Sequence, residues 1–264
     1  MQTQELTKYA PAVFGQTPKQ GLSEKYALIS TRHVLERLAS AGWRVVEAHQ
    51  TRAKSDVGAL VCRHMVKLRH PDMERMDAKG DVIPEFSLLN SHDGSSAYQL
   101  HMSIFRKVCA NGLIVADSVS HHLSVRHSGK AAEQVVDASF RIIDEAGRVL
   151  DNVRSFQSRL LTPAERQDFA ARALNLRWPF EKGVKPPVTA AQLLEPRRYG
   201  DNEADLWTTF NVVQENIIRG GVPGKTQTGR RYTTRAVGGV NANVRLNKTL
   251  WELAEQARIV RVAA

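Results

Sequence analysis

A chain of 264 residues, 42% hydrophobic and 24% charged, has room for one large domain or two smaller ones sharing an interface, and its balance excludes a disordered polymer. The 37 Lys and Arg against 27 Asp and Glu leave a net charge of +10, which points to polyanion partners wherever that charge is clustered. Met1 to Ala10 lacks the apolar stretch of a secretory signal, no apolar run reaches the roughly 18 residues of a membrane span, and Cys62 and Cys109 are too few for a disulfide framework, so a cytoplasmic protein is expected.

After a polar lead containing Pro11 and Pro18, Ser30 precedes Val34, Leu35 and Leu38 at helical spacing, with Gly42 as the stop, which predicts a short amphipathic helix. Near-alternation over Trp43 to Arg52 and Leu60 to Arg69 predicts paired strands, with Val45, Cys62, Met65 and Val66 facing inward. Both cysteines have apolar sequence neighbours and read as small core residues. Pro71 to Asp81 reads as a loop and Val82 to Leu89 as a strand, followed by the turn-forming residues Asn90-Ser91-His92-Asp93-Gly94-Ser95-Ser96. Tyr98 to Arg106 and Leu113 to Val125 add strand-like segments, with Asn111-Gly112 as a two-residue turn between them.

From Lys130 the period becomes helical, with Ala131, Val135, Ala138, Ile142 and Ile143 on one side and a loose continuation to Phe156. Thr162, Pro163 and Glu165 form a capping box with proline at the first helical position, opening a helix that runs to about Leu176. Phe180 to Arg198, with Pro186, Pro187 and Pro196, reads as a connector with a short helix starting at Thr189. Asp205 to Arg219 is predicted to be a helix stopped by Gly220-Gly221, and Asn247 to Val262 the last one. The expected fold is therefore α+β: a mostly antiparallel sheet in the first half packed by a long helix, and a helical second half. The expected division is a sheet domain over 1–155 and a helical subdomain over 156–264 that carries a basic loop.

That basic loop is the most informative segment. Residues 216–251 contain Arg219, Lys225, Arg230, Arg231, Arg235, Arg245 and Lys248, six glycines, several threonines and not one acidic residue. Cations, hydroxyls and accessible backbone amides together suit phosphate oxygens, and Tyr232 is placed to stack on a base. The bland alternative is a solvated charged loop. Gly220 to Thr226 superficially evokes a phosphate-binding loop, but Arg219 stands where the first glycine belongs and a helix precedes it rather than a strand. His64, His92-Asp93 and Asp117 follow the chain order of a metal phosphohydrolase, yet fall on predicted strands and a turn, without tight ligand spacing. Asn90 to Ser96 offers groups for nucleophile, base and acid, but the same residues build ordinary turns. Neither a catalytic centre, a metal nor a cofactor is expected.

Leu88 to Tyr98, with Asn90-Ser91-His92-Asp93-Gly94, followed by Phe105 to Val115 with Asn111-Gly112, resembles a family of phage and plasmid proteins of unknown function that includes the YfjQ/YafZ-type prophage proteins. Leu206-Trp-Thr-Thr, Arg219-Gly-Gly, Thr234-Arg-Ala-Val and Leu246 to Trp251 extend the resemblance over nearly the whole chain. It implies a mobile-element context and no assigned activity. Sequence-tolerant binding of nucleic acid, with single-strand binding or annealing as its form, is the function this context favours. The alternative is an anti-defence protein that binds a host nuclease, restriction or CRISPR component. No membrane partner is expected, and self-association is left open.

Overall fold

The computed structural model describes residues 1–22, 28–76, 82–106, 123–128, 130–180 and 184–259, and the backbone over 111–114. Its contacts divide the chain into two compact units, Met1–Val149 and Leu150–Ala264, with the break inside the long helix.

The first unit is built on one antiparallel sheet. Strands β1 (Arg44–Gln50), β2 (His64–Arg69), β3 (Val82–Asn90), β4 (Tyr98–Arg106) and β5 (Asn111–Ile114) lie in chain order, and β6 (Leu123–Val125) pairs with the other end of the same β4 edge. Register puts Val66 opposite Leu88, Leu68 opposite Phe86, and Phe86 opposite Met102, so one face is an apolar slab, all of it buried. Trp43 meets Phe86 edge-on with ring centroids 4.4 Å apart. Helix α2 (Thr31–Ser40) buries Val34, Leu35 and Leu38, and the Ser30 hydroxyl caps it by accepting from the His33 amide.

The opposite face carries Lys67, Glu85, Ser87, His101 and Ser103, also buried. Burial of such groups is tolerable only when they bond one another: Lys67 reaches Glu47 at 2.5 Å, Arg69 reaches Glu85 at 2.9 Å, and the Ser87 and Ser103 hydroxyls lie 3.2 Å apart.

Several expectations need correction here. The polar N-terminal lead contains helix α1 (Thr3–Tyr9) and a 3₁₀ turn, Pro11–Phe14. The segment read as a strand from Leu60 starts as helix α3 (Asp56–Val61), because the Ser55 hydroxyl caps the Gly58 amide. Cys62 consequently closes a short helix, half-buried, with its thiol on the Thr51 carbonyl, instead of facing the core from a strand. Burial, and then the nearby Asp93 charge, push that thiol's pKa up. Cys109 lies outside the described residues. Val45, expected inside, is only partly buried, at a bulge in β1. Pro71–Met76 is a helix, α4, rather than a loop; the His70 ring nitrogen accepts the Asp72 amide, and acidic Asp72 and Glu74 occupy its first turn. Asn111 and Gly112 are not a turn: they pair with Arg106 and Phe105 inside β5. The segment expected as one strand to Val125 is described as β5 and β6 only, and 115–122 lies outside the described residues.

Helix α5 (Ala131–Ser158) buries the stripe Ala131, Val135, Ala138 and Ile142, as its period predicts, and the Phe140 ring meets His70. The second unit packs α6 (Pro163–Arg177), α8 (Leu206–Arg219) and α9 (Val240–Ile259) around an aromatic cluster. Trp251 lies 5.1 Å from Phe156 and 5.9 Å from Phe210, and Phe169 lies 6.5 Å from Phe210. Each such ring, once buried, contributes roughly 1.5 to 3 kcal/mol. The predicted capping box holds: the Thr162 hydroxyl accepts from Glu165, and the Glu165 carboxylate accepts from the Thr162 amide at 2.8 Å. Helix α9 starts at Val240, seven positions before the expected Asn247, so it takes in Arg245 as well as Lys248, which the expected helix already held. Among the described residues no helix is long and apolar enough to cross a membrane.

Candidate nucleic-acid interface

The predicted basic loop is folded into a hairpin. Asp205 caps α8 by accepting from the Thr208 amide, and the helix ends where Gly220 takes φ +65° and ψ −150°. A side chain at Gly220 would place its Cβ 2.5 Å from the Arg235 carbonyl carbon, so only glycine fits. Strands β7 (Pro223–Lys225) and β8 (Arg231–Thr233) then pair across Thr226 to Arg230, a turn closed by the Thr226 amide on the Arg230 carbonyl at 2.9 Å, with Gly229 at φ +79°. The hairpin rests on the proline segment: the Lys225 amide donates to the Pro187 carbonyl at 2.9 Å, and a Cβ on Gly224 would lie 2.0 Å from that oxygen. Helix α7 (Ala190–Leu193) ties the base through Gln192 Nε2, which donates to the Pro223 carbonyl at 2.8 Å.

The cations of this segment divide into two sets. Arg219 is paired, with its guanidinium 3.0 Å from the buried carboxylate of Glu215, which also holds Arg198. Lys248 is half-buried on α9, where burial lowers its pKa against the pull of Glu252. In contrast, Lys225, Arg230, Arg231 and Arg235 on the hairpin and its exit are exposed, as is Arg245 on α9, and none has a carboxylate partner among the described residues. Tyr232 is half-buried between two exposed neighbours on β8.

Beside the hairpin is a groove of about 430 Å³, lined by Tyr232, Lys225 and Gln227 on one side and by Arg177, Trp178 and Lys185 from the end of α6 and the chain after it. Arg177, Trp178 and Lys185 were not legible as site residues. The nearest signals were Trp178-Pro179 and Lys185-Pro186-Pro187, which read locally as helix termination and connector.

The Asn90 to Ser96 motif is a structured turn at the far end of β3, in the other unit. Asn90 is the last strand residue, opposite His64, so the turn proper starts at Ser91. Asp93 accepts the Ser95 amide at 2.9 Å and Gly94 has φ +77°, the local turn chemistry the residues imply. The Ser95 hydroxyl and carbonyl both take donors from Arg63, and Ser91 and Ser95 hydroxyls lie 3.2 Å apart. Although partial burial raises the Asp93 carboxyl pKa, bonds from Ser95 and Ser91 and the Arg63 charge carry it below its usual value.

Under this turn lies a network invisible in the sequence, because it joins residues from α2, β2, β3 and the chain after β6. The His64 Nδ1–H donates to the Cys62 carbonyl at 3.0 Å, so its Nε2 is the acceptor and takes the Thr31 hydroxyl proton at 2.8 Å. The same hydroxyl accepts from Asn90 Nδ2 at 2.9 Å and from His92 Nε2 at 3.2 Å. Asn90 Oδ1 in turn accepts from His127 Nε2 at 2.9 Å. Burial lowers the pKa of His64 to about 3 and that of His92 to about 4. His92 Nδ1 lies beside the Leu60 carbonyl, which pulls against the effect of burial, and packs on Gly15, where a Cβ would approach the ring nitrogen to 2.7 Å. His64 and His92, singled out as candidate metal ligands, are thus joined through one threonine hydroxyl, and Asp117 lies outside the described residues. Among the described residues no group of three or more His, Cys, Asp or Glu is arranged to hold a metal ion.

Residues 20–251 match the family model described as "Domain of unknown function (DUF932)". The chain belongs to this family. It is 37% identical over 252 residues to the UPF0380 protein YafZ of Escherichia coli (strain K12), covering 96% of this chain and 89% of that one. The UPF0380 protein YfjQ of the same organism matches to the same extent. No solved structure gives a significant match. Membership of DUF932 agrees with the sequence resemblance and assigns no activity to the hairpin or to the turn.

Proposed function

We propose that this DUF932 protein is a cytoplasmic component of a mobile genetic element that binds nucleic acid without regard to sequence, through the β7–β8 hairpin of its second unit. The observation that carries this is the set of exposed cations, Lys225, Arg230, Arg231 and Arg235, that lack carboxylate partners among the described residues, on and just after a hairpin pinned to the proline segment. Charges already paired, like Arg219, have little left to offer a phosphate. Unpaired exposed ones bind it and release its counterions, which makes affinity salt-dependent and indifferent to base identity. A rigid, glycine-turned hairpin holds these cations at fixed spacing, as a strand-binding or strand-annealing protein requires.

The test is oligonucleotide binding across a salt series. Replacing Arg230, Arg231 and Arg235 together by Ala should reduce the slope of log affinity against log salt by about two, at roughly 0.7 per single-strand phosphate contact. The melting curve should barely move, since these exposed side chains have no carboxylate partner to lose among the described residues. Absence of binding to DNA and RNA, single- and double-stranded, at low salt would refute nucleic-acid binding and favour an acidic host protein as the partner.

A further inference from the structure

The groove beside the hairpin has features that phosphate attraction alone does not require. Among the described residues that line it none is acidic, while Arg177, Lys185 and Lys225 all belong to it. Arg177 is the most informative of them. Its guanidinium is half-buried, has no carboxylate partner among the described residues, and leaves Nε buried without a hydrogen bond. Its described hydrogen bond is a long one, 3.3 Å, to the Arg235 carbonyl. Burial without a counter-charge depresses its pKa, a cost that an anion in the groove would offset.

The aromatic lining is equally distinctive. Trp43, Trp207 and Trp251 are core residues, at most 3% exposed, whereas Trp178 is half-exposed, with the Arg177 guanidinium 5.5 Å from its ring centroid. Tyr232 lines the same groove and lies close enough to Arg177 to affect its ionisation. A volume of about 430 Å³ falls in the range of small-ligand sites, so it suits one nucleotide and not a helix.

We propose that this groove is a single-nucleotide subsite, in which an unpaired base stacks on Trp178 and Tyr232 and its phosphate meets Arg177, with Lys185 and Lys225 contributing charge. The subsite rests on the nucleic-acid binding proposed above and adds a requirement to it. A base in a duplex is stacked on both faces and paired at its edge, so only a single strand or a frayed end can fill the groove. Binding by the hairpin cations tolerates either form; filling the groove selects the single strand.

Because the other three tryptophans are buried, intrinsic fluorescence reports selectively on the groove. Titrating the full chain with a short oligothymidylate should quench tryptophan emission, and the quench should vanish in Trp178→Phe, a change that keeps an aromatic ring. A duplex of equal charge should bind, read by anisotropy of a labelled strand, without quenching. Tyr232→Ala should weaken oligothymidylate about tenfold, the loss of one stacking partner, and leave duplex affinity and the salt slope unchanged. If both forms bind with strong salt dependence but the single strand leaves the emission unchanged, or if Trp178→Phe retains the full quench, the subsite is wrong and the electrostatic interface stands. If neither form binds, both are wrong.

Discussion

Lowering the pH from about 7.5 to about 5 should destabilise the first unit through its two buried histidines, and the size of the effect follows from their environment. His64 and His92 are buried and held neutral, with pKa values pushed down to about 3 and about 4 from an ordinary 6.5. In the unfolded chain both would take up protons as pH falls below 6.5, while in the folded chain they would not. The unfolded state then binds more protons, so stability is complete above pH 6.5 and is lost as pH falls toward the folded values. Each histidine costs about 1.4 kcal/mol per pH unit below 6.5, hence about 2 kcal/mol at pH 5 and about 4 for the pair. His127, also shifted down by burial, acts in the same direction. Glu85, whose carboxyl is raised by burial, acts in the opposite one. Urea denaturation at steps between these pH values gives the slope, and ring nitrogen chemical shifts of labelled histidine show directly whether His64 and His92 stay neutral. His64→Asn, whose amide can still donate to the Cys62 carbonyl, should remove about half of the slope. A stability that does not change from pH 7.5 to 5, or a slope that His64→Asn leaves untouched, would refute the buried neutral network.

Two glycine substitutions test the local geometry of the two motifs. Gly94→Val should cost on the order of 1 to 2 kcal/mol from the left-handed backbone alone, because Gly94 has φ +77° and its Cβ would also press on Leu22; an unchanged melting curve would count against that conformation. Gly224→Ala should lift the hairpin off Pro187, since the clash is with a backbone carbonyl that cannot rotate away, and should cost about 1 to 3 kcal/mol with faster proteolysis between 223 and 233. Retained protection of that segment would show that the hairpin does not need its proline support.

Local patterns were enough to define much of this chain. The strand-like segments of β3 and β4, the 3.6-residue stripe of α5, the Thr162 to Glu165 cap and the glycine stop after Arg219 are set by interactions within a few residues, and each appears where the sequence placed it. The turn chemistry of Asp93 and Gly94 is of the same kind. Errors arose where short-range signals were ambiguous: Asn111-Gly112 has the composition of a tight turn, yet pairing with β4 draws it into a strand, and Pro71 with its acidic neighbours opened a helix once His70 supplied the cap. The site residues show the same division. The unbroken run of uncompensated cations is a property of the sequence, but which of them are free is not: Glu215 claims Arg219, and the early start of α9 takes Arg245 out of the loop. The groove needs Arg177 and Trp178 brought beside Tyr232 across more than fifty residues, and the histidine network needs Thr31 brought to His64, Asn90 and His92. A single polar or aromatic residue has no periodicity to announce such a partner, so only packing of the helices and the sheet, driven by apolar burial elsewhere, decides that these side chains meet.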